Sequence, residues 1–339
     1  MAKIVILVPF AARTGGPEAC YQLSDALLRQ GFDAEVWPLA PEDQHALRRA
    51  MLSGARFVRD GLTLPVRENP IEDYRRYLSR PFPGRARDAS TVFVLPEIFA
   101  WAVPLFAGTN VILWWLSVDN AFEALARVNL NHLRQPRVRH ACQSFYALRT
   151  VETLGFTPSM LSDYTVVPEL EVPAPEGRPM KVCLNAGPKV IFNLGQLRSM
   201  LEKEDPAIEV VPLRDMPRQA IYRHFSSASL YVDLGQFPGK DRMVREALLL
   251  GANVLIARAG AGANPVDYAL PEECRWALGS AGELVARLVR LLRDPGAVAE
   301  RLAPERARLR DEKAVFEREI RAVFGPFADG GHGLPPADR

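Results

Sequence analysis

The sequence predicts an α/β protein made of two doubly wound, Rossmann-like sheets. Three observations predict it. Short, continuous apolar runs rich in β-branched residues recur between helical patterns, as strands buried on both faces require. The 339 residues exceed one typical core and suit two domains of roughly 150–170 residues each. A proline-rich stretch, Pro168 to Pro175 (PELEVPAP), breaks the series near its middle and reads as the joint.

Ile4 to Val8 is the first such run. Thr14-Gly15-Gly16-Pro17 turns the chain, and a helical pattern through Leu23, Leu27 and Leu28 carries it to a stop at Gly31. Ala34 to Leu39, Thr91 to Leu95 and Asn110 to Leu116 read as further strands. Residues 41 to 90 are less regular, and between Arg48 and Arg87 ten arginines face four acids, which raises the local positive potential. The first domain therefore spans 1–168, with 169–178 as linker. The pattern restarts with Lys181 to Leu184, Ile208 to Pro212, Leu230 to Asp233 and Val254 to Ile256 as strands separated by helices, filling 179–304. A last amphipathic helix, 305–324, carries Val315, Phe316, Ile320, Val323 and Phe324; it packs against a sheet or crosses to the other domain. Gly325 to Arg339 lacks anchoring apolar residues, so a disordered tail, 325–339, is expected.

Composition narrows the function classes. A chain that is 48% hydrophobic and 24% charged is an ordinary soluble one, and a net charge of +2 gives no global attraction to nucleic acid. Cys20, Cys142, Cys183 and Cys274 are scattered, with no Cys-x-x-Cys pair and no His at zinc spacing, so neither a disulfide scaffold nor a metal site is expected. The apolar start meets Arg13 and two glycines too early for a signal peptide or a spanning helix, and a cytoplasmic location is expected. His132 and His140 flank an Arg-rich turn and are expected at the surface. The absence of G-x-S-x-G, P-loop and H-E-x-x-H patterns argues against hydrolase, ATPase and zinc-protease chemistry.

The most chemical stretch is 231–256. Tyr231 to Leu234 reads as a strand and Gly235 to Gly239 as a turn; Lys240, Asp241 and Arg242 then open a helix whose apolar side is Met243, Val244, Ala247, Leu248 and Leu250. Unpaired N–H groups at such a helix start attract phosphate, and Lys240 and Arg242 add full charges. A plainer alternative is a surface turn in which Arg242 and Glu246 form an exposed i,i+4 pair.

Thr14-Gly15-Gly16-Pro17-Glu18, Gln143-Ser144 before Phe145-Tyr146-Ala147, and Pro238-Gly239-Lys240-Asp241-Arg242 followed by Arg245-Glu246-Ala247 and Gly251 resemble motifs of GT-B nucleotide-sugar glycosyltransferases. The last is similar to the PGKDR-x-x-REA signature of a bacterial branch associated with surface polysaccharides. The resemblance covers roughly residues 3 to 275. It implies two Rossmann-like domains facing a cleft, a nucleotide-diphosphate sugar as donor and a carbohydrate or lipid-linked acceptor, with no cofactor. In many retaining members two acids flank this motif. Glu246 matches the second, on the nucleotide ribose, whereas Pro238 stands at the position of the first, which leaves the sugar contact and the stereochemical course open.

On this resemblance Gly15, Gly16, Lys189, Gly239, Lys240, Asp241, Arg242, Arg245 and Glu246 are the donor-binding candidates, with Lys189, Lys240 and Arg242 as diphosphate clamp. Lys189 as a solvated loop lysine is the alternative. Asp119, Glu97 and Glu18 are the acid/base or sugar-contact candidates, because each follows a strand or opens a helix at the sheet's functional edge. Asp119 can equally cap the helix from Ala121 onward. Arg258, Gly260, Ala261 and Gly262 form a small-residue loop, suited to a ligand or to an ordinary turn. Without an aspartate-rich motif, protein cations rather than a metal are expected to neutralise the diphosphate. Tyr74, Tyr77 and Phe82 within the Arg-rich segment suit peripheral contact with a membrane's inner face, although such segments can simply be solvated. An isomerase of the same architecture, or a non-catalytic nucleotide- or sugar-binding module, would share these features.

Overall fold

The computed structural model describes residues 2–328 except 87, 127, 191 and 278. Contacts divide the chain into two compact units, Met1–Asp163 with the chain from Ala314 onward, and Tyr164–Lys313. The expected disordered tail lies, from residue 329, outside the described residues; Gly325–Phe327 form a 3₁₀ turn.

The first unit runs β1 (Lys3–Pro9), α1 (Gly15–Arg29), β2 (Asp33–Leu39), α2 (Pro41–Leu52), β3 (Val92–Pro96), β4 (Asn110–Trp115), α3 (Val118–Leu125), α4 (Leu130–Leu133), β5 (Val138–Cys142), α5 (Phe145–Thr153) and β6 (Pro158–Met160). Its six strands are all parallel, in the order β2-β1-β3-β4-β5-β6. β1, β3 and β4 are buried almost throughout, as β-branched runs covered on both faces must be. α1 stops at Gly31, whose φ of +86° is a left-handed geometry that favours glycine.

The irregular stretch after α2 is part of this core. Phe57 and Phe82 pack on Trp37 of β2 with ring centroids 4.9 and 4.7 Å apart. Phe82 N donates to Val36 O at 2.9 Å and Val36 N to Arg80 O at 2.7 Å, so the segment adds a short bridge along β2. Tyr74, Tyr77 and Phe82 are buried. The aromatic part of the expected membrane contact therefore faces inward.

His140 corrects a second expectation. It lies inside β5, buried between Trp115 and Phe156, with Trp115 Nε1 donating to its Nδ1 at 3.1 Å and its Nε2 against Leu133 O at 3.1 Å. Burial pushes its pKa down to about 4. It is a neutral core histidine, satisfied on both nitrogens.

The second unit runs β7 (Lys181–Asn185), α6 (Leu194–Glu204), β8 (Glu209–Leu213), α7 (Arg218–Ser227), β9 (Leu230–Asp233), α8 (Arg242–Leu249), β10 (Asn253–Ala257), β11 (Arg275–Trp276), α9 (Ala281–Arg293) and α10 (Pro295–Arg310). Its five parallel strands are ordered β11-β10-β9-β7-β8. α8 is capped at both ends. Asp241 Oδ1 accepts from Met243 N at 2.8 Å, and the half-buried Arg306 guanidinium donates to Leu248 O, Gly251 O and Ala252 O at 3.0, 3.2 and 3.0 Å. Burial without a carboxylate partner pushes Arg306 down to about 10.

α11 (Glu312–Phe324) returns the chain to the first unit. There Gln30 Nε2 donates to Glu317 O at 3.2 Å, Ser162 N and Oγ donate to Glu319 Oε2 at 2.7 and 2.6 Å, and Phe324 meets Phe32 edge-on.

Candidate functional site

In an open parallel sheet, ligands bind beyond the carboxyl ends of the strands where the winding direction reverses. The first unit reverses between β1 and β3, the second between β7 and β9. Each reversal point is described on its own.

In the first unit the loop after β1 leads through Ala11, at φ +55°, to Gly15 and Gly16 at the start of α1. A Cβ on Gly16 would meet only Leu116 Cδ1, at 3.6 Å. The fold does not require a glycine there. Glu18 is buried, and its Oε1 accepts from Tyr77 Oη at 2.8 Å and from Arg76 Nη2. Glu97, immediately after β3, is also buried; its two oxygens accept from Leu116 N and Ser117 N at 2.9 and 3.1 Å. Burial pushes its pKa up to about 7 against those backbone hydrogen bonds. Asp119 is half-buried in the first turn of α3, which starts one residue before it. Its Oδ1 accepts from Tyr146 Oη at 2.6 Å, so its carboxylate is held by α5. Burial and then Asp119 push the Tyr146 hydroxyl up to about 12.

In the second unit a pair absent from the sequence candidates lies at the reversal point. Asn185 ends β7 and Asp233 ends β9, and Asn185 Nδ2 donates to Asp233 Oδ2 at 2.7 Å. Tyr231 Oη at 3.0 Å and Gly235 N at 2.9 Å also donate to this carboxylate. Burial and the neighbouring Asp241 push Asp233 up to about 6, against these three donors. Asn185 Oδ1 accepts from Gly187 N at 2.9 Å, and Gln236 N donates to Lys189 O at 3.2 Å beside an antiparallel bridge between Val190 and Gly235. The loops after β7 and β9 are thus tied together. The signal available in the sequence was a polar residue closing an apolar strand.

Lys189 is exposed at that tie and makes no ion pair among the described residues. Lys240 differs. Its ammonium is 2.6 Å from Glu312 Oε1, with the two side chains 6% and 5% exposed. Arg245 has no exposed side-chain surface; it donates to Glu312 Oε2 at 2.9 Å and to Lys240 O at 3.2 Å, bracing the turn from inside. Arg242 and Gly239 are buried, and Asp241 is half-buried as the α8 cap. Glu246 Oε1 accepts from Arg218 Nη2 at 2.7 Å and Tyr222 Oη at 3.1 Å. The plainer reading of a surface turn with an exposed Arg242–Glu246 pair does not hold, because both residues are buried.

The small-residue loop after β10 is explained by packing. A Cβ on Gly260 would fall 2.1 Å from Phe237 O, and one on Gly262 2.6 Å from Ala257 O. These glycines are required by the protein's own backbone. Among the described residues no group of three His, Cys, Asp or Glu could hold a metal, and no helix is long and apolar enough to cross a membrane.

Neither a family model nor a curated protein sequence matches the chain. Solved structures do. TarM superposes with a TM-score of 0.63 at 9% identity, over 97% of this chain and 99% of that one. The lipopolysaccharide outer core galactosyltransferase WaaB gives 0.60 at 10% identity over 96% and 99%. Sucrose-phosphate synthase from Thermosynechococcus elongatus gives 0.56 at 11% identity over 98% and 100%. Identities this low establish the fold, two Rossmann-like sheets of the GT-B class.

Proposed function

We propose that this protein is a glycosyltransferase that moves a sugar from a nucleotide-diphosphate donor to a carbohydrate or lipid-linked acceptor. The end-to-end fold match carries the reading: one TarM structure, from S. aureus, contains UDP and α-GlcNAc-glycerol, and its chain is covered over its full length. As the glycosidic bond breaks, negative charge grows on the diphosphate, and a cation placed there lowers the barrier because it binds the transition state more tightly than the substrate. Lys189 is the cation ready for that task. Lys240 joins it only by leaving Glu312, while Gly239, Asp241 and Arg242 shape the turn, and Glu246, steadied by Arg218 and Tyr222, takes the ribose role that the motif resemblance gives it.

On the acceptor side, Gly15 and Gly16 leave room for phosphate or sugar, and Asp119, half-buried and oriented by Tyr146, is the group to take the acceptor's proton. Glu97 holds the backbone that presents Asp119, and Glu18 is engaged by Arg76 and Tyr77. The reaction needs no metal in this scheme. A role in surface polysaccharide or glycoconjugate synthesis follows from the acceptor class, and exposed Arg48, Arg49 and Leu52 at the end of α2 support peripheral contact with the inner face of a membrane.

Calorimetric titration with a panel of nucleoside diphosphates, followed by donor-turnover assays with and without glycan acceptors, tests the reading. At least one diphosphate is expected to bind, and Lys189→Ala to weaken it about tenfold, the value of one charge-assisted contact. A panel without binding, or a Lys189→Ala variant with unaltered affinity and turnover, overturns it.

A further inference from the structure

The irregular segment after α2 makes more contacts with the glycine loop than a surface excursion requires. Tyr74 Oη donates to Ala12 O at 2.8 Å, with Thr14 O 3.3 Å away as a second acceptor. Asp73 Oδ2 accepts from Arg13 Nε and Nη2 at 3.0 and 2.7 Å. The Tyr74 ring lies stacked on Tyr21 of α1 at 4.9 Å, and the guanidinium of Arg67 sits 6.0 Å over the ring of Phe10. At the other end Arg76 and Tyr77 hold Glu18 in the first turn of α1. Between these anchors Ala11 keeps a left-handed φ of +55°, which a non-glycine residue retains only where its surroundings over-determine it.

We infer that residues 67–82 form a clamp that fixes the glycine loop, and that Tyr74 is a positioning residue for the phosphate or sugar the loop receives. The geometry explains why two adjacent glycines can serve a ligand without leaving a floppy loop. Two carbonyls and one arginine of the loop are tethered from outside, so the amides at the start of α1 point in a set direction before any ligand arrives. The ligand half of the inference rests on the transferase reading; the clamp half does not.

Limited trypsin digestion of the full chain separates the two. Arg13 is the sole tryptic site between Lys3 and Arg29. Cleavage there follows the population of the opened loop. Tyr74→Phe keeps the stacked ring and removes the tether, so cleavage after Arg13 is expected to quicken about fivefold, the effect of one lost hydrogen bond. Amide exchange at Glu18, whose N–H bonds to Thr14 O, is expected to quicken with it. Tyr77→Phe, which frees Glu18 from one partner, provides the same exchange measurement if Tyr74→Phe does not fold. Unchanged cleavage and exchange overturn the clamp. In transfer assays with the nucleotide sugar that the donor-turnover assays identify, Tyr74→Phe is expected to raise KM several-fold with kcat within about twofold. Loosened cleavage with unchanged KM overturns the positioning role, and total inactivity of the parent protein overturns the transferase reading alone.

Discussion

Glu312 lies 72 residues from Lys240 in sequence, yet it carries the buried charge balance of the PGKDR turn. Its side chain is 5% exposed and faces Lys240 and Arg245 at 2.6 and 2.9 Å, themselves 6% and 0% exposed. Glu312→Gln keeps the shape and removes the carboxylate charge that both buried cations contact. Breaking a buried pair by removing one partner costs about 3–5 kcal/mol, because the survivor stays desolvated. Lys240→Met should cost less, roughly 1–2 kcal/mol, since Arg245 still neutralises the carboxylate. The double variant should then fall short of the sum by about 2 kcal/mol.

The chain has two units, so a whole-molecule melting curve would mix their transitions. Urea unfolding read by pulsed hydrogen exchange on peptides from β9 and α8 isolates the second unit. A Glu312→Gln variant as stable as the parent, or a coupling with Lys240 below about 0.5 kcal/mol, would refute the buried-triad argument. The same triad explains why Lys189 is the cleaner probe of donor binding. Replacing Lys240 disturbs the fold and the ligand at once.

Three further outcomes are expected. Gly16→Ala should leave stability unchanged or raise it by about 0.5–1 kcal/mol, since alanine favours a helix and its Cβ meets only Leu116 Cδ1 at 3.6 Å; transfer activity should nonetheless fall at least about tenfold, and full activity would remove the glycine from the site. Glu97 binds its proton more tightly folded, at about 7, than unfolded, near 4.5, so its share of stability is complete below about pH 4.5 and lost as pH rises through 7; replacing it with Gln should flatten the stability curve across that window by about 2–3 kcal/mol, and parallel curves would contradict the raised value. Arg306→Met should destabilise the second unit by about 2 kcal/mol, because Gly251 O and Ala252 O lose the guanidinium, while Leu248 O keeps Gly251 N at 3.1 Å; an unchanged urea midpoint would show that water replaces it.

How much of this was legible in the sequence depended on whether the signal was local. β1, β3, β4, β9 and β10 announce themselves as apolar runs, and α8 carries its own cap and stop in Asp241 and Gly251. β5 does not. Its five residues, VRHAC, place Arg139 and His140 where a buried strand should be apolar, and only the rings of Trp115 and Phe156 make that histidine a core residue. Phe57 and Phe82 come from a segment without periodicity, and the contact that recruits them is Trp37. Residue types at strand ends could be read as chemical, but their partners could not. The engagement of Glu18 by Arg76, of Asp119 by Tyr146 and of Lys240 by Glu312 is set by tertiary packing across 58, 27 and 72 positions.

The same solution occurs at both reversal points, reached by different means. In each unit the loop after the first strand is the element best placed for a ligand, and a free loop pays about 1–2 kcal/mol of entropy for every residue it orders on binding. The first unit removes much of that cost with an inserted segment that tethers Ala12, Arg13 and Thr14 from outside. The second does so from inside the sheet. Asp233 holds Asn185, Asn185 holds Gly187, and Lys189 O takes the amide of Gln236, so the loop bearing Lys189 is pinned by the neighbouring strand end. Burial and Asp241 hold the Asp233 carboxyl up at about 6, so the folded unit binds that proton more tightly than the unfolded chain, and the stability this contributes is lost as pH rises through 6. The two units therefore differ in what loosens them. The outer clamp, half of it ion pairs, yields to salt, whereas the inner pin, built on a desolvated carboxylate beside Asp241, loses stability as pH rises.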